Sequence, residues 1–130
     1  KGLIMDKRKF NHEGLEFTYY QTGSGKLDIF IQHGYSDSAL CWGPLPEDLG
    51  KNFRVTLMDA RGHGESAKPD FGYDLTTMAK DMIALIKHIE MKNPIIIGHS
   101  MGGSLATHLS ALEPGLPGGA VLIDPGFRNR

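Results

Sequence analysis

A single cysteine, Cys41, occurs in 130 residues, so no internal disulfide can form, and the chain is expected in a reducing compartment, the cytoplasm. No apolar run approaches the ~20 residues that cross a bilayer. The opening KGLIMDKRKF has only a three-residue apolar stretch, too short for the core of a signal peptide. Blocks of like charge, low-complexity tracts and internal repeats are all missing. Lys and Arg total 14 against 15 Asp and Glu, a formal net charge of −1. Such a balance offers neither nucleic acid nor an anionic membrane a surface to bind, and neither is expected as a partner. What the chain does have is glycine, 17 residues of it, and a 40% hydrophobic content that suits one small globular domain.

Periodicity divides the sequence into strands and helices in alternation. Leu15 to Thr22 (LEFTYYQT) alternates apolar and polar positions as a half-exposed strand does, with Lys9 to His12 as its hairpin partner across Glu13-Gly14. Leu27 to Gln32 (LDIFIQ) reads as a buried strand that ends at His33-Gly34. Ser36-Asp37-Ser38 offers an N-cap for a helix over Ala39 to Leu49, and Phe53 to Met58 is the next strand. Leu75, Met78, Ala79, Met82, Leu85, Ile86 and Ile89 make a helical stripe over Leu75 to Glu90, capped by Asp74. A strand over Pro94 to Ile97 and a helix from Met101 to Glu113, stopped by Pro114-Gly115, come next; a strand over Ala120 to Asp124 closes the series. This order predicts an α/β fold with a predominantly parallel, doubly wound sheet covered on both faces and an antiparallel hairpin at its N-terminal end. Ala120 to Ile123 is apolar on both faces, which suits an interior strand; left as an edge, it is expected to stick to other chains.

The stretch PIIIGHSMGG (Pro94 to Gly103) carries the chemistry. A β-branched run stops at Gly98-His99-Ser100-Met101-Gly102, and G-x-S-x-G between a strand and a helix is a nucleophile elbow, a sharp turn that lifts a serine Oγ clear of the backbone. Side chains at Gly98 or Gly102 would crowd that turn, and Gly103 admits close packing of the next helix. The unpaired N–H groups of the helix start face the place where an oxyanion would form. A phosphate loop needs lysine where Ser104 stands, and no G-x-G-x-x-G dinucleotide fingerprint is present. The plain alternative is a Gly-rich turn with an incidental serine. In a parallel sheet the ligand site lies outside the carboxyl ends of the strands, and His33-Gly34, Asp59, Ser100 and Asp124 each follow a different strand there.

Taken in order, HG at 33 to 34, DARGHGES at 59 to 66, GHSMGG at 98 to 103 and VLIDP at 121 to 125 are similar to the amino-terminal half of the α/β-hydrolase fold superfamily, over nearly the whole chain. The resemblance implies Ser100 as nucleophile and the backbone N–H groups of Tyr35 and Met101 as the oxyanion hole. It also implies an acyl-enzyme route to hydrolysis of a small-molecule substrate, a carboxylic ester above all. No cofactor and no metal are expected. Serine in the elbow sets aside relatives with an aspartate nucleophile, the epoxide hydrolases and haloalkane dehalogenases. In this superfamily the acid and histidine of the triad come after the serine, from later strands, and the sequence stops before them. Residues 1–130 are therefore expected to be the amino-terminal part of a single α/β-hydrolase domain. Its lid and remaining part would come from a continuation or a cleaved piece, and Phe127-Arg128-Asn129-Arg130 suits a trypsin-like cut. Some relatives draw their acid from the end of the Ala120 strand, which makes Asp124 the alternative acid.

The remaining candidates have structural readings. His108 lies eight helical residues beyond Ser100, roughly 12 Å along the axis, too far for a base. His33 reads as a hydrogen-bonded loop organiser, His63 as packing in the turn after its strand, and Asp59 with Arg61 as a satisfied polar pair or turn caps. Cys41 is expected to be a small buried hydrophobe, and His88 a solvated residue on a polar helix face with Thr77, Lys80, Asp81 and Lys87. Two function classes remain open, a serine hydrolase and a non-catalytic protein that uses the same pocket to hold a small ligand.

Overall fold

The computed structural model describes residues 5–124. Six strands, β1 (Asp6–His12), β2 (Leu15–Thr22), β3 (Leu27–Gln32), β4 (Phe53–Met58), β5 (Ile95–His99) and β6 (Gly119–Ile123), accompany three helices, α1 (Leu45–Leu49), α2 (Leu75–His88) and α3 (Met101–Leu112). The strands form one sheet in the order β1-β2-β4-β3-β5-β6. Glu13 and Gly14 both have positive φ, 52° and 80°, the turn whose twist matches antiparallel strands, so β1 and β2 pair from Asp6↔Gln21 to His12↔Leu15. β2 runs antiparallel to β4, whereas β4, β3, β5 and β6 are mutually parallel.

Alternation along the parallel strands builds a core on each face. Phe30, Met58 and Ile96 pack with Met78, Met82, Leu85 and Ile86 of α2 and with Leu105 and Leu109 of α3. Ile29, Ile31, Val55, Leu57 and Ile97 face the other way, toward Ala39, Trp42 and Leu49. From β3 the chain moves outward to β4 and then returns past β3 to β5. That reversal opens a crevice at the carboxyl ends of β3 and β5, where loops leave in opposite directions.

Four expectations change. The helix over Ala39 to Leu49 shrinks to Leu45–Leu49, with Ser38 and Asp37 holding loop turns instead of a helix start. Gly43 at φ 58° and the prolines at 44 and 46, which lack a donor N–H, explain the late start. β5 continues to His99 because β6 pairs with it through His99↔Ile123, and Asp124 has left its strand at φ 45°. Asp81, expected on a polar face, is buried at 1% exposure. Among the described residues β6 pairs with β5 alone and all five of its residues are exposed, so a strand whose sequence suits an interior place stands here as an edge. The run Phe127-Arg128-Asn129-Arg130 lies outside the described residues.

Candidate active site

β5 delivers the chain to Ser100 and α3 carries it away. Ser100 holds φ 55° and ψ −117°, a left-handed conformation that costs a non-glycine residue about 1–3 kcal/mol. The neighbours enforce it. A Cβ at Gly98 would stand 2.3 Å from the Gly102 carbonyl oxygen, and one at Gly102 would stand 2.2 Å from that of Gln32 on β3. Both obstacles are backbone, so the turn closes only with glycine at each place. Hydrogen bonds then fix it from both ends: Ser100 N–H donates to Ile123 O at 2.9 Å, and Ser100 O accepts from Gly103 N–H at 2.9 Å and Ser104 N–H at 3.2 Å. The Ser100 side chain has no part in capping α3. Met101 is the first residue of α3, and its N–H has no carbonyl partner within the helix.

The loop after β3 lies against this turn. A Cβ at Gly34 would come 3.1 Å from the Cβ of Ser100, so Tyr35 begins beside the elbow. His33, fully buried, organises this approach. Its Nε2 accepts from Ala60 N–H at 3.0 Å, which leaves Nδ1–H to donate to Gly34 O at 2.7 Å. Burial holds its pKa below the ordinary 6.5, so the ring stays neutral. Gly34 O also accepts from Asp37 N–H at 3.2 Å. In a planar trans peptide the C=O and the next N–H point in opposite directions, so these bonds set the direction of the Tyr35 N–H.

The loop after β4 completes the edge. Asp59 caps two loops with one carboxylate, Oδ1 accepting from Ala39 N–H at 2.8 Å and Oδ2 from Glu65 N–H at 2.9 Å. Arg61 does not pair with it. The guanidinium reaches α2 and forms a two-pronged bond with Asp81, at 2.9 and 3.0 Å, because both side chains are buried and each needs the other's charge. His63 does more than pack: Nδ1–H donates to Arg61 O at 2.9 Å and Nε2 accepts from Ser36 N–H at 3.1 Å. A cleft of about 560 Å³ opens here, lined by Tyr35, Ser36, Gly62, His63, Tyr73, Met78 and Met101, none of them a full charge.

The structure thus brings Ser100, Met101 and Tyr35 to one place. Asp124 follows Ile123, the partner of His99, and so lies beside Ser100 across the β5–β6 pair, exposed. His108 is two helical turns along α3 from Ser100. Cys41 is exposed, not buried, and desolvation with Asp37 nearby pushes its thiol up to about 11, which keeps it protonated. His88 is exposed but stacks on Phe10, ring centroids 5.4 Å apart. Tyr73 and the Ser36–His63 bond have no local pattern to mark them, and Met78 reads from its helical spacing as core alone although it also lines the cleft. Among the described residues no three His, Cys, Asp or Glu side chains gather as a metal ion needs, and no helix is long and apolar enough to cross a membrane.

Comparison with known proteins shows the family and the fold. The alpha/beta hydrolase family model matches residues 29–130. The 2-(acetamidomethylene)succinate hydrolase of Mesorhizobium japonicum is 35% identical over 104 residues, covering 80% of this chain and 37% of that protein. A soluble epoxide hydrolase of Corynebacterium sp. is 35% identical over 97 residues, covering 75% of this chain and 34% of that one. The crystal structure of a bacterial membrane phospholipase A superposes with a TM-score of 0.89 at 27% identity, covering 93% of this chain and 40% of the other. The chain therefore spans between 34% and 40% of the length of these relatives.

Proposed function

The chain belongs to the alpha/beta hydrolase family, and from that premise we propose that it carries the nucleophile and oxyanion hole of a serine hydrolase acting on acyl carbonyls, carboxylic esters above all. The observation that carries this reading is Ser100, held at φ 55° by backbone bonds alone, with its side chain unused in capping. Ser100 Oγ attacks the carbonyl carbon and gives its proton to a general base. The carbonyl oxygen, now an anion, lies between the N–H groups of Tyr35 and Met101. Collapse of the tetrahedral intermediate expels the alcohol, which takes the proton, and water then hydrolyses the acyl-enzyme.

The base and its acid are assigned to a segment beyond the described residues, with Asp124 as the alternative acid. His33 and His63 both have their two ring nitrogens committed to backbone groups, so neither can accept the serine proton without breaking the loops they hold. Relatives bear the names of hydrolases with different substrates, including an epoxide hydrolase, so their names do not choose among them. The serine at position 100 supports acyl transfer, the chemistry that a serine nucleophile suits.

A fluorophosphonate probe applied to the full-length protein tests the reading. Peptide mapping is expected to find the label on Ser100, and Ser100→Ala to abolish ester turnover while leaving the unfolding midpoint almost unchanged. Label on another residue, or ester turnover surviving in Ser100→Ala, would overturn the assignment. An unlabelled protein that binds a small ligand without turning it over would favour the non-catalytic alternative.

A further inference from the structure

We propose that His63 is a positioning residue for the oxyanion hole: its imidazole, through the Ser36 N–H, fixes the backbone on the far side of Tyr35. This rests on the hydrolase reading above, in which the Tyr35 N–H receives the oxyanion. Two peptide planes flank the Tyr35 Cα. The first contains the Gly34 carbonyl and the Tyr35 N–H, and His33 holds it at 2.7 Å. The second contains the Tyr35 carbonyl and the Ser36 N–H, which donates to His63 Nε2 at 3.1 Å. With both planes held, the two backbone torsions of Tyr35 have no freedom left.

The second plane needs holding. Ser36 adopts φ 64°, a left-handed conformation that costs a serine about 1–3 kcal/mol and relaxes once its partner is lost. The Tyr35 side chain gives little anchorage of its own, being 75% exposed. His63 meets the requirement because its other nitrogen is tied to Arg61 O at 2.9 Å, and Arg61 is itself locked to Asp81 on α2. The ring packs between His33, at a centroid distance of 5.1 Å, and Tyr35, at 5.6 Å edge-on, so its orientation is set as well as its tautomer. The direction in which the Tyr35 N–H points is thus referred, by way of His63, to the rigid sheet and helix behind the loop. A donor aimed in advance stabilises the transition state far more than one that must be ordered during the reaction.

Two substitutions in the full-length protein separate this role from packing. His63→Gln can place its amide oxygen near the position of Nε2 and still accept from Ser36 N–H, whereas His63→Asn reaches only as far as Nδ1 and cannot. Second-order phosphonylation of Ser100, with kcat and KM for ester hydrolysis, gives the readout. His63→Asn is expected to lower the phosphonylation rate and kcat by about tenfold or more, with KM little changed, and His63→Gln to recover most of the loss. Amide exchange at Ser36 is expected to be slow in the parent and in the Gln variant and fast in the Asn variant. Equal rates in parent and Asn variant, or an equal fall in Asn and Gln variants, would overturn the proposal. A parent protein that takes no label at Ser100 would instead overturn the hydrolase reading beneath it.

Discussion

His33 combines complete burial with two hydrogen bonds that only the neutral ring can make, one donated and one accepted. This has a thermodynamic consequence. Burial lowers its folded-state pKa below the ordinary 6.5, so as pH falls the unfolded chain takes up a proton before the folded one does. The contribution to stability is therefore complete above pH 6.5 and is lost as pH falls from there through the depressed folded value. Urea unfolding from about pH 7.5 down to about 5.5 is expected to show a falling midpoint, with a shallower fall in His33→Gln. An identical slope in the variant would mean that His33 is not the group responsible. The organising role of His33 was legible in the sequence, since a histidine before glycine at a strand end has backbone to hold. That of His63 was not, because Ser36 lies 27 positions away and nothing local announces the bond.

Helix α2 and the loop after β4 are joined by the Arg61–Asp81 pair, each side chain 2% exposed. A buried pair is weak evidence of net stability, because removing two charges from water offsets much of their attraction, yet deleting one partner strands the other. Asp81→Ala alone is expected to cost about 3–5 kcal/mol in urea unfolding, whereas Arg61→Met with Asp81→Leu should regain most of it. A double variant as unstable as the single one would show that the pair has a role beyond mutual compensation. The sequence gives α2 its place through the apolar stripe and the Asp74 cap, which accepts from Thr77 N–H at 2.9 Å, but Asp81 reads as solvated because a charge is ordinarily so. Strands β3 and β4 match their expected limits because alternate residues serve opposite cores. The first helix fails for the opposite reason: its apolar residues have helical spacing, but Pro44 and Pro46 remove the donors that the spacing assumes.

Among the described residues the sheet ends at β6, with Val121, Leu122 and Ile123 exposed at 48%, 39% and 41%, on both faces. Such an edge is a template for another strand, and we propose that the 130 residues alone need a covering segment to remain single. Light scattering is expected to show a mass that grows with concentration, reduced by Val121→Lys; a monomer at every concentration would refute the need for a cover. The elbow was legible because its glycines and serine lie within five residues, whereas the cleft draws Tyr35, His63 and Tyr73 from separate loops to the start of α3 at Met101. That separation has a consequence in time. Gly34 and Ser100, in near contact, are sixty-six positions apart, and their meeting requires the chain to travel out to β4 and back. Contacts of such long range form late, after the entropy of closing the loop has been met. On the proposed hydrolase reading, the turn at Ser100 and the Tyr35 N–H are brought together only when the crossover closes, so a half-folded chain is expected to present a serine without its oxyanion donor and to take no phosphonate label.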